Sequence, residues 1–246
     1  MTEKISLPIT VGREIKHIVQ FSGGKDSTCM LLMMLERNMS IDDIIFCDTG
    51  MEFPSMYEHI DRVEQYIGRK ITRLKPPHSF VYYFAEYEKT RGKNKGKGGY
   101  GWPRMWARWC TRVLKQVPTK RYLKSVGYYI QYIGIAADEP KRHVNIPKNT
   151  VHPLYDWGIT ESIALQYCYE NGFDWGGLYE RFNRTSCWCC PLQRMGNLRN
   201  LRKYYPELWE KLLKMDEMVP YHFKPRYSVQ ELERRFALED RQQSLF

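Results

Sequence analysis

The sequence has no apolar run long enough to cross a bilayer and no secretory-type apolar leader, so no membrane partner is expected and the protein is expected to be cytoplasmic. It has no evenly spaced cysteine framework. The 7 cysteines are unevenly clustered, which argues against a small secreted fold held by disulfides. Acids are scarce relative to bases: Lys+Arg 38 against Asp+Glu 28 leaves a net charge of +10, which suits a polyanionic partner such as nucleic acid. A chain of 246 residues has room for one well-cored domain and an appended piece, and is short for two full domains.

The most informative stretch is His17-Ile-Val-Gln-Phe-Ser-Gly-Gly-Lys-Asp-Ser27. It reads as a strand that ends in a glycine turn and opens into a helix from Asp26 to about Asn38. Gly23 and Gly24 let backbone amides approach an anion closely, at a helix N-terminus whose dipole favours negative charge. Lys25 adds a cation, and Ser22 and Ser27 add hydroxyls, so the turn is suited to a phosphate chain. It matches neither G-x-x-x-x-G-K-[ST] nor a dinucleotide fingerprint.

Strand signals at 17–21, 43–48, 71–75 and 128–134 alternate with helix signals. Met30, Leu31, Met34 and Leu35 share one side of the first helix, and Pro54 and Ser55 introduce a second that runs to about Ile67. This βαβ order predicts an α/β, doubly wound, mostly parallel sheet that binds its ligand at the carboxyl ends of the strands, where Asp48, Thr49, Gly50 and Glu52 also fall. Residues 89–104, KTRGKNKGKGGYGWPR, carry no acid and read as a basic flexible loop. It could fold over ATP, grip a phosphate backbone while Tyr100 and Trp102 stack on bases, or be merely solvated. Amphipathic helices at about 195–203, 206–218 and 228–240 form a small C-terminal helical extension, with Ser228 and Glu231 as a capping box for the last.

Cys187 and Cys190 have C-x-x-C spacing, with Cys189 between them, and Cys110 stands apart. Four thiolates would suffice for zinc or an iron–sulfur cluster, and Cys187 with Cys190 alone would suffice for a redox dithiol. Cys29, Cys47 and Cys168 fall on apolar positions and read as core.

The SGGKDS string resembles the PP-loop of the ATP pyrophosphatase superfamily. The order of later segments (Cys47-Asp-Thr-Gly-Met-Glu-Phe-Pro54, Trp109-Cys-Thr-Arg-Val-Leu-Lys115, Gly134-Ile-Ala-Ala-Asp-Glu-Pro-Lys-Arg142, His152-Pro-Leu-Tyr-Asp-Trp157 and Leu178 to Pro191) resembles the phosphoadenylyl-sulfate (PAPS) reductase family. The resemblance implies an adenine nucleotide alpha hydrolase-like fold over 1–194, with 195–241 as the helical extension. It implies cleavage of ATP between the α- and β-phosphates, with Ser22, Gly23, Gly24, Lys25, Asp26 and Ser27 on the pyrophosphate and its Mg²⁺. Asp48 and Thr49 would lie near the adenosine, and Gly134, Asp138, Glu139 and Arg142 at the mouth; Lys25, Asp26 and Arg142 are the candidate catalytic residues.

Three departures from the family pattern bear on function. Ala136 stands where an arginine is expected. Cys110 replaces a tandem pair, so Cys110, Cys187, Cys189 and Cys190 are expected to hold a 4Fe–4S cluster or zinc. No cysteine follows Cys190 in this sequence. The pattern is nearer the sulfur-transfer component of DNA phosphorothioation systems, which implies an ATP-dependent nucleotidyl or sulfur transferase acting on DNA or tRNA with a sulfur donor protein. The alternatives are a sulfonucleotide reductase lacking its own C-terminal cysteine and a nucleic-acid adaptor with a vestigial nucleotide site. Gln242-Gln-Ser-Leu-Phe246 resembles a sliding-clamp docking peptide.

Overall fold

The computed structural model describes residues 14–93, 95–185 and 187–243. Strands β1 (Lys16–Gln20), β2 (Asp43–Cys47), β3 (Thr72–Leu74), β4 (Tyr129–Ile133) and β5 (Thr150–Val151) form one parallel sheet in the order β3-β2-β1-β4-β5. The register sets Val19 beside both Ile44 and Tyr132. After β1 the chain adds strands first on one side and then on the other. The carboxyl ends of β1 and β4 therefore flank a topological switch point, the usual crevice of an open α/β sheet.

The helices are α1 (Lys25–Glu36), α2 (Pro54–Ile67), α3 (Val117–Val126), α4 (Pro153–Asp156), α5 (Glu161–Glu170), α6 (Leu178–Arg181), α7 (Met195–Tyr204), α8 (Pro206–Glu217) and α9 (Val229–Gln243). Successive strand residues point to opposite faces. Val19, Ile44 and Phe46 accordingly pack with Met30, Met34 and Ile60 of α1 and α2, while Ile18 and Ile45 pack with Leu123 of α3. Both faces are covered, which explains the continuous apolar strand runs. Pro54 opens α2, and Gly68 closes it in the left-handed region at φ 65°. Upstream of α3 the helix widens into a π turn over Thr111–Gln116. Pro118, which has no N–H to donate, lies just downstream and accounts for the change of register.

The C-terminal helices share the main core. Leu198, Leu201, Trp209, Leu212, Leu232 and Phe236 belong to the same buried cluster as the α1 and β2 side chains. Strand β5 carried too short an apolar signal to be read in the sequence. Among the described residues no helix is long and apolar enough to cross a membrane.

Within the 89–104 stretch, the structure rules out base stacking by Trp102. Trp102 is buried between Phe84 and Phe223 with its indole N–H on Asp216 at 3.0 Å, and Tyr100 stacks between Tyr87 and Trp109. The Trp102 ring is not available to a base, because burying it outweighs leaving it in water, whereas Tyr100 is half-buried and lines a surface groove. The proposed docking peptide ends in Ser244, Leu245 and Phe246, which lie outside the described residues.

Candidate active site

The glycine turn leaves β1 at the switch point. Gly23 has φ 77°, and a Cβ there would come within 2.6 Å of the Met56 sulfur, so only glycine fits against α2. From the other side, the Cα of Gly134, just past β4, lies so close to α1 that a Cβ would stand 3.0 Å from the Asp26 carbonyl and the Ser27 nitrogen. The two glycines let the turn, the first turn of α1 and the end of β4 pack backbone to backbone.

Side chains hold the turn in shape. Ser27 Oγ donates to the Gly24 carbonyl at 3.0 Å and accepts the Ser22 N–H at 3.1 Å. The Lys25 N–H donates to the Tyr179 hydroxyl at 2.8 Å, and the Trp175 indole N–H donates to the Gly23 carbonyl at 2.7 Å. Trp175 achieves this from a left-handed backbone at φ 52°, followed by Gly176 and Gly177 at φ 60° and 75°. A left-handed tryptophan costs about 1–3 kcal/mol, so the surrounding contacts must impose it. Behind the turn, buried His59 stacks on Trp175 and bonds Thr28 at 2.9 Å.

Lys25 Nζ lies 2.8 Å from Glu161 and 3.1 Å from Asp26. Burial lowers the lysine pKa, but the two carboxylates outweigh it and leave the pKa above its ordinary value. Burial raises Asp26 despite Lys25 beside it. Glu161 takes its position from α5, whose first N–H donates to Asp138 at 3.0 Å.

Two cavities meet at this turn. One, of about 570 Å³, lies over the ends of the central strands and is walled by Gln20, Phe46, Cys47, Leu123, Gln131 and Ile133. The other, of about 580 Å³, is polar and includes Lys25, Glu52, Arg108, Glu161, Tyr179 and Arg184. Ser22, Lys115 and Arg142 line both. Arg142 is held by Glu139 at 2.7 Å. Cys47, read from the sequence as core, lies in the wall of the first cavity with its sulfur 3.2 Å from the Thr119 hydroxyl.

Asp48 and Thr49 stand at the same sheet edge but are engaged locally. Thr49 is buried with its hydroxyl on Glu52, and Asp48 accepts from the Tyr57 hydroxyl at 2.9 Å. Ala136 is fully buried.

The cysteines are neighbours. Burial, then the charge of Cys190, raises Cys110. Burial and Glu52 push Cys187 up to about 12 against the pull of Lys115, and burial drives Cys189 well up. Groups raised in this way are protonated thiols at neutral pH and poor nucleophiles. Among the described residues no group of three or more His, Cys, Asp or Glu is arranged to hold a metal ion.

Sequence reading located the turn but missed Trp175, Tyr179, Glu161, Lys115 and Arg108. Glu161 and Tyr179 lie 136 and 154 residues from Lys25 along the chain, and no local pattern links such distances.

Residues 16–193 match the model of the phosphoadenosine phosphosulfate reductase domain. An uncharacterized protein of Methanocaldococcus jannaschii is 29% identical over 230 residues, covering 85% of this chain and 41% of that protein. A second from the same organism is 28% identical over 78% of this chain and 45% of its own length. An uncharacterized nin region protein of Escherichia phage lambda is 30% identical over 51% of this chain and 50% of its own length. The chain thus spans about half the length of the curated relatives it matches. A crystal structure of phosphoadenylyl-sulfate (PAPS) reductase from Candida auris, in phosphate complex, superposes with a TM-score of 0.49 and 18% identity over 73% of this chain and 84% of that one.

Proposed function

Because the chain belongs to the phosphoadenosine phosphosulfate reductase domain family, whose enzymes use nucleotides, we propose that it is an ATP-dependent nucleotidyl transferase that activates a nucleic-acid acceptor for sulfur transfer. The observation that carries this reading is the pair of cavities joined at Ser22, Lys115 and Arg142, with the glycine turn between them. The first has the size and apolar walls suited to an adenosine. The second is polar, and Arg108, Lys115 and Arg184 in its lining would face the acceptor.

In this reading the triphosphate lies over Ser22–Ser27, where α1 amides and Lys25 meet the β- and γ-phosphates. Lys25 exchanges its Glu161 contact for phosphate oxygen, and Tyr179 yields the Lys25 N–H. An acceptor oxygen attacks the α-phosphorus, the bond to the bridging oxygen breaks, and pyrophosphate leaves with the charge from that bond. Lys25 and the amides stabilise this charge as it develops. Arg142, where the cavities meet, steadies the α-phosphate. Asp26 would hold Mg²⁺, which when bound would supply charge neutralisation. A sulfur nucleophile from a donor protein then displaces AMP from the acceptor. No step passes through a cysteine-bound metal.

The test is pyrophosphate release from ATP and Mg²⁺ by anaerobically prepared protein, with and without DNA or tRNA. Release should depend on nucleic acid and fall at least about a hundredfold in Lys25→Ala, the scale of losing one electrostatic stabiliser. Thioredoxin-dependent sulfite release from phosphoadenylyl sulfate, without ATP turnover, would overturn it in favour of a sulfonucleotide reductase. Nucleic-acid binding that persists in Lys25→Ala, with no turnover in either protein, would favour an adaptor. Iron and zinc content of the same preparation tests the 4Fe–4S or zinc expected at Cys110, Cys187, Cys189 and Cys190.

A further inference from the structure

Arg104 and Ala107 exchange both backbone hydrogen bonds, at 3.3 and 3.1 Å, so Met105 and Trp106 form the tip of a tight two-residue turn. Such tips normally carry Gly, Asn, Asp or Pro, for their backbone freedom and polarity. Here the tip is the most water-exposed pair of large apolar side chains among the described residues: Met105 is 75% exposed and Trp106 84%. An indole left in water on a tight turn gains nothing for the fold. Its neighbours, by contrast, are fixed. Arg104 donates to the His222 carbonyl at 3.1 Å, the Trp109 indole N–H donates to the Gly101 carbonyl at 2.9 Å, and Trp102 is anchored on Asp216. The ring is therefore presented from a rigid base.

Charge surrounds it. A groove of about 490 Å³ beside Trp106 is lined by Arg104, Arg108 and Arg112, with Tyr100 and Tyr221 among its aromatic walls. Lys89, at the start of the basic 89–104 stretch, lies 6.0 Å over the Tyr221 ring. Arg108 lines both this groove and the polar cavity beside the glycine turn, so the two are adjacent openings.

We propose that the Arg104–Arg108 turn binds single-stranded nucleic acid, one base stacking on Trp106 and the flanking phosphates held by Arg104, Arg108 and Arg112, and so feeds the acceptor toward the glycine-turn cavity. This deepens the acceptor reading above and rests on it. A flat indole edged by guanidinium groups matches alternating bases and phosphates; three arginines with no intervening acid suit an anionic strand better than a protein surface.

The test is fluorescence anisotropy of a fluorescein-labelled 16-nucleotide single strand, as DNA and as RNA, with the full chain at fixed salt. Trp106→Ala should weaken binding about tenfold, as loss of one stacked base does, while Trp106→Phe keeps most of the affinity. Arg104→Ala with Arg112→Ala should flatten the salt dependence. Because Trp106 projects into water, the Ala variant should keep its circular dichroism. Unchanged affinity in Trp106→Ala would overturn the proposal, as would Trp106-dependent binding of protein with no binding of either strand. Pyrophosphate release reads the acceptor reaction separately. Trp106-dependent binding without release leaves the surface standing and removes the reaction. Release with Trp106-independent binding removes the surface alone.

Discussion

His59 shows how one side chain ties site geometry to pH. It is buried against Trp175 and Phe173, Nε2 faces the Thr28 hydroxyl, and Nδ1 has no hydrogen-bond partner. Burial, with Arg62 nearby, lowers its pKa from 6.5 to about 3. Between those values the unfolded chain binds a proton that the folded one refuses, so stability is intact above 6.5 and falls as pH drops through this window. The slope from this one group reaches about 1.4 kcal/mol per pH unit. Urea unfolding at a series of pH values should therefore show a shallower acid loss in His59→Phe than in the unaltered protein. The variant starts lower at pH 7, because buried Thr28 loses its partner. Parallel pH curves for the two proteins would show that His59 does not titrate this way.

Among the elements, α9 depends on its first turn. The Glu231 N–H donates to Ser228 Oγ at 3.1 Å, and the Ser228 N–H donates back to Glu231 at 2.7 Å, the reciprocal box read from the sequence. The structure adds a third contact. Asp216 of α8 accepts the Val229 N–H at 2.6 Å and the Trp102 indole N–H, tying α8, α9 and the basic stretch together with one carboxylate. Negative charge at a helix N-terminus is favourable, and these amides would otherwise lack intrahelical partners. Ser228→Ala should cost about 1 kcal/mol, read as a lower urea midpoint at unchanged slope. A changed slope would mean that α9 had come loose from the core.

At the scale of the molecule, the C-terminal helices share the main core of the described residues with the sheet. Side chains from α1, β2, α8 and α9 belong to a single buried cluster, and Trp102 and Phe223 join it from the connecting segments. A shared core unfolds as a unit. Urea transitions followed by tryptophan fluorescence and by far-ultraviolet circular dichroism should therefore coincide. Two separated transitions would instead make the C-terminal helices an independent unit. The net charge of +10 is also a whole-molecule property, but only the fold determines how it is displayed. Arg108 with Lys115, Arg142 and Arg184 come from three separate stretches of chain to line one cavity.

Local chemistry made much of this legible in the sequence. The glycine turn, the parallel strands read from unbroken apolar runs, the first two helices and the Ser228 box each depend on neighbours within a few residues, so spacing alone specifies them. The tertiary structure decided the rest, because it rests on contacts between distant residues. Tyr179 and Trp175 shape the turn from more than 150 residues away, and Glu161 holds Lys25 across 136. Of the neighbouring aromatics, Trp102 became core and Trp106 surface. Their composition is alike, but one had Phe84, Phe223 and Asp216 to pack against and the other sat at the tip of a turn.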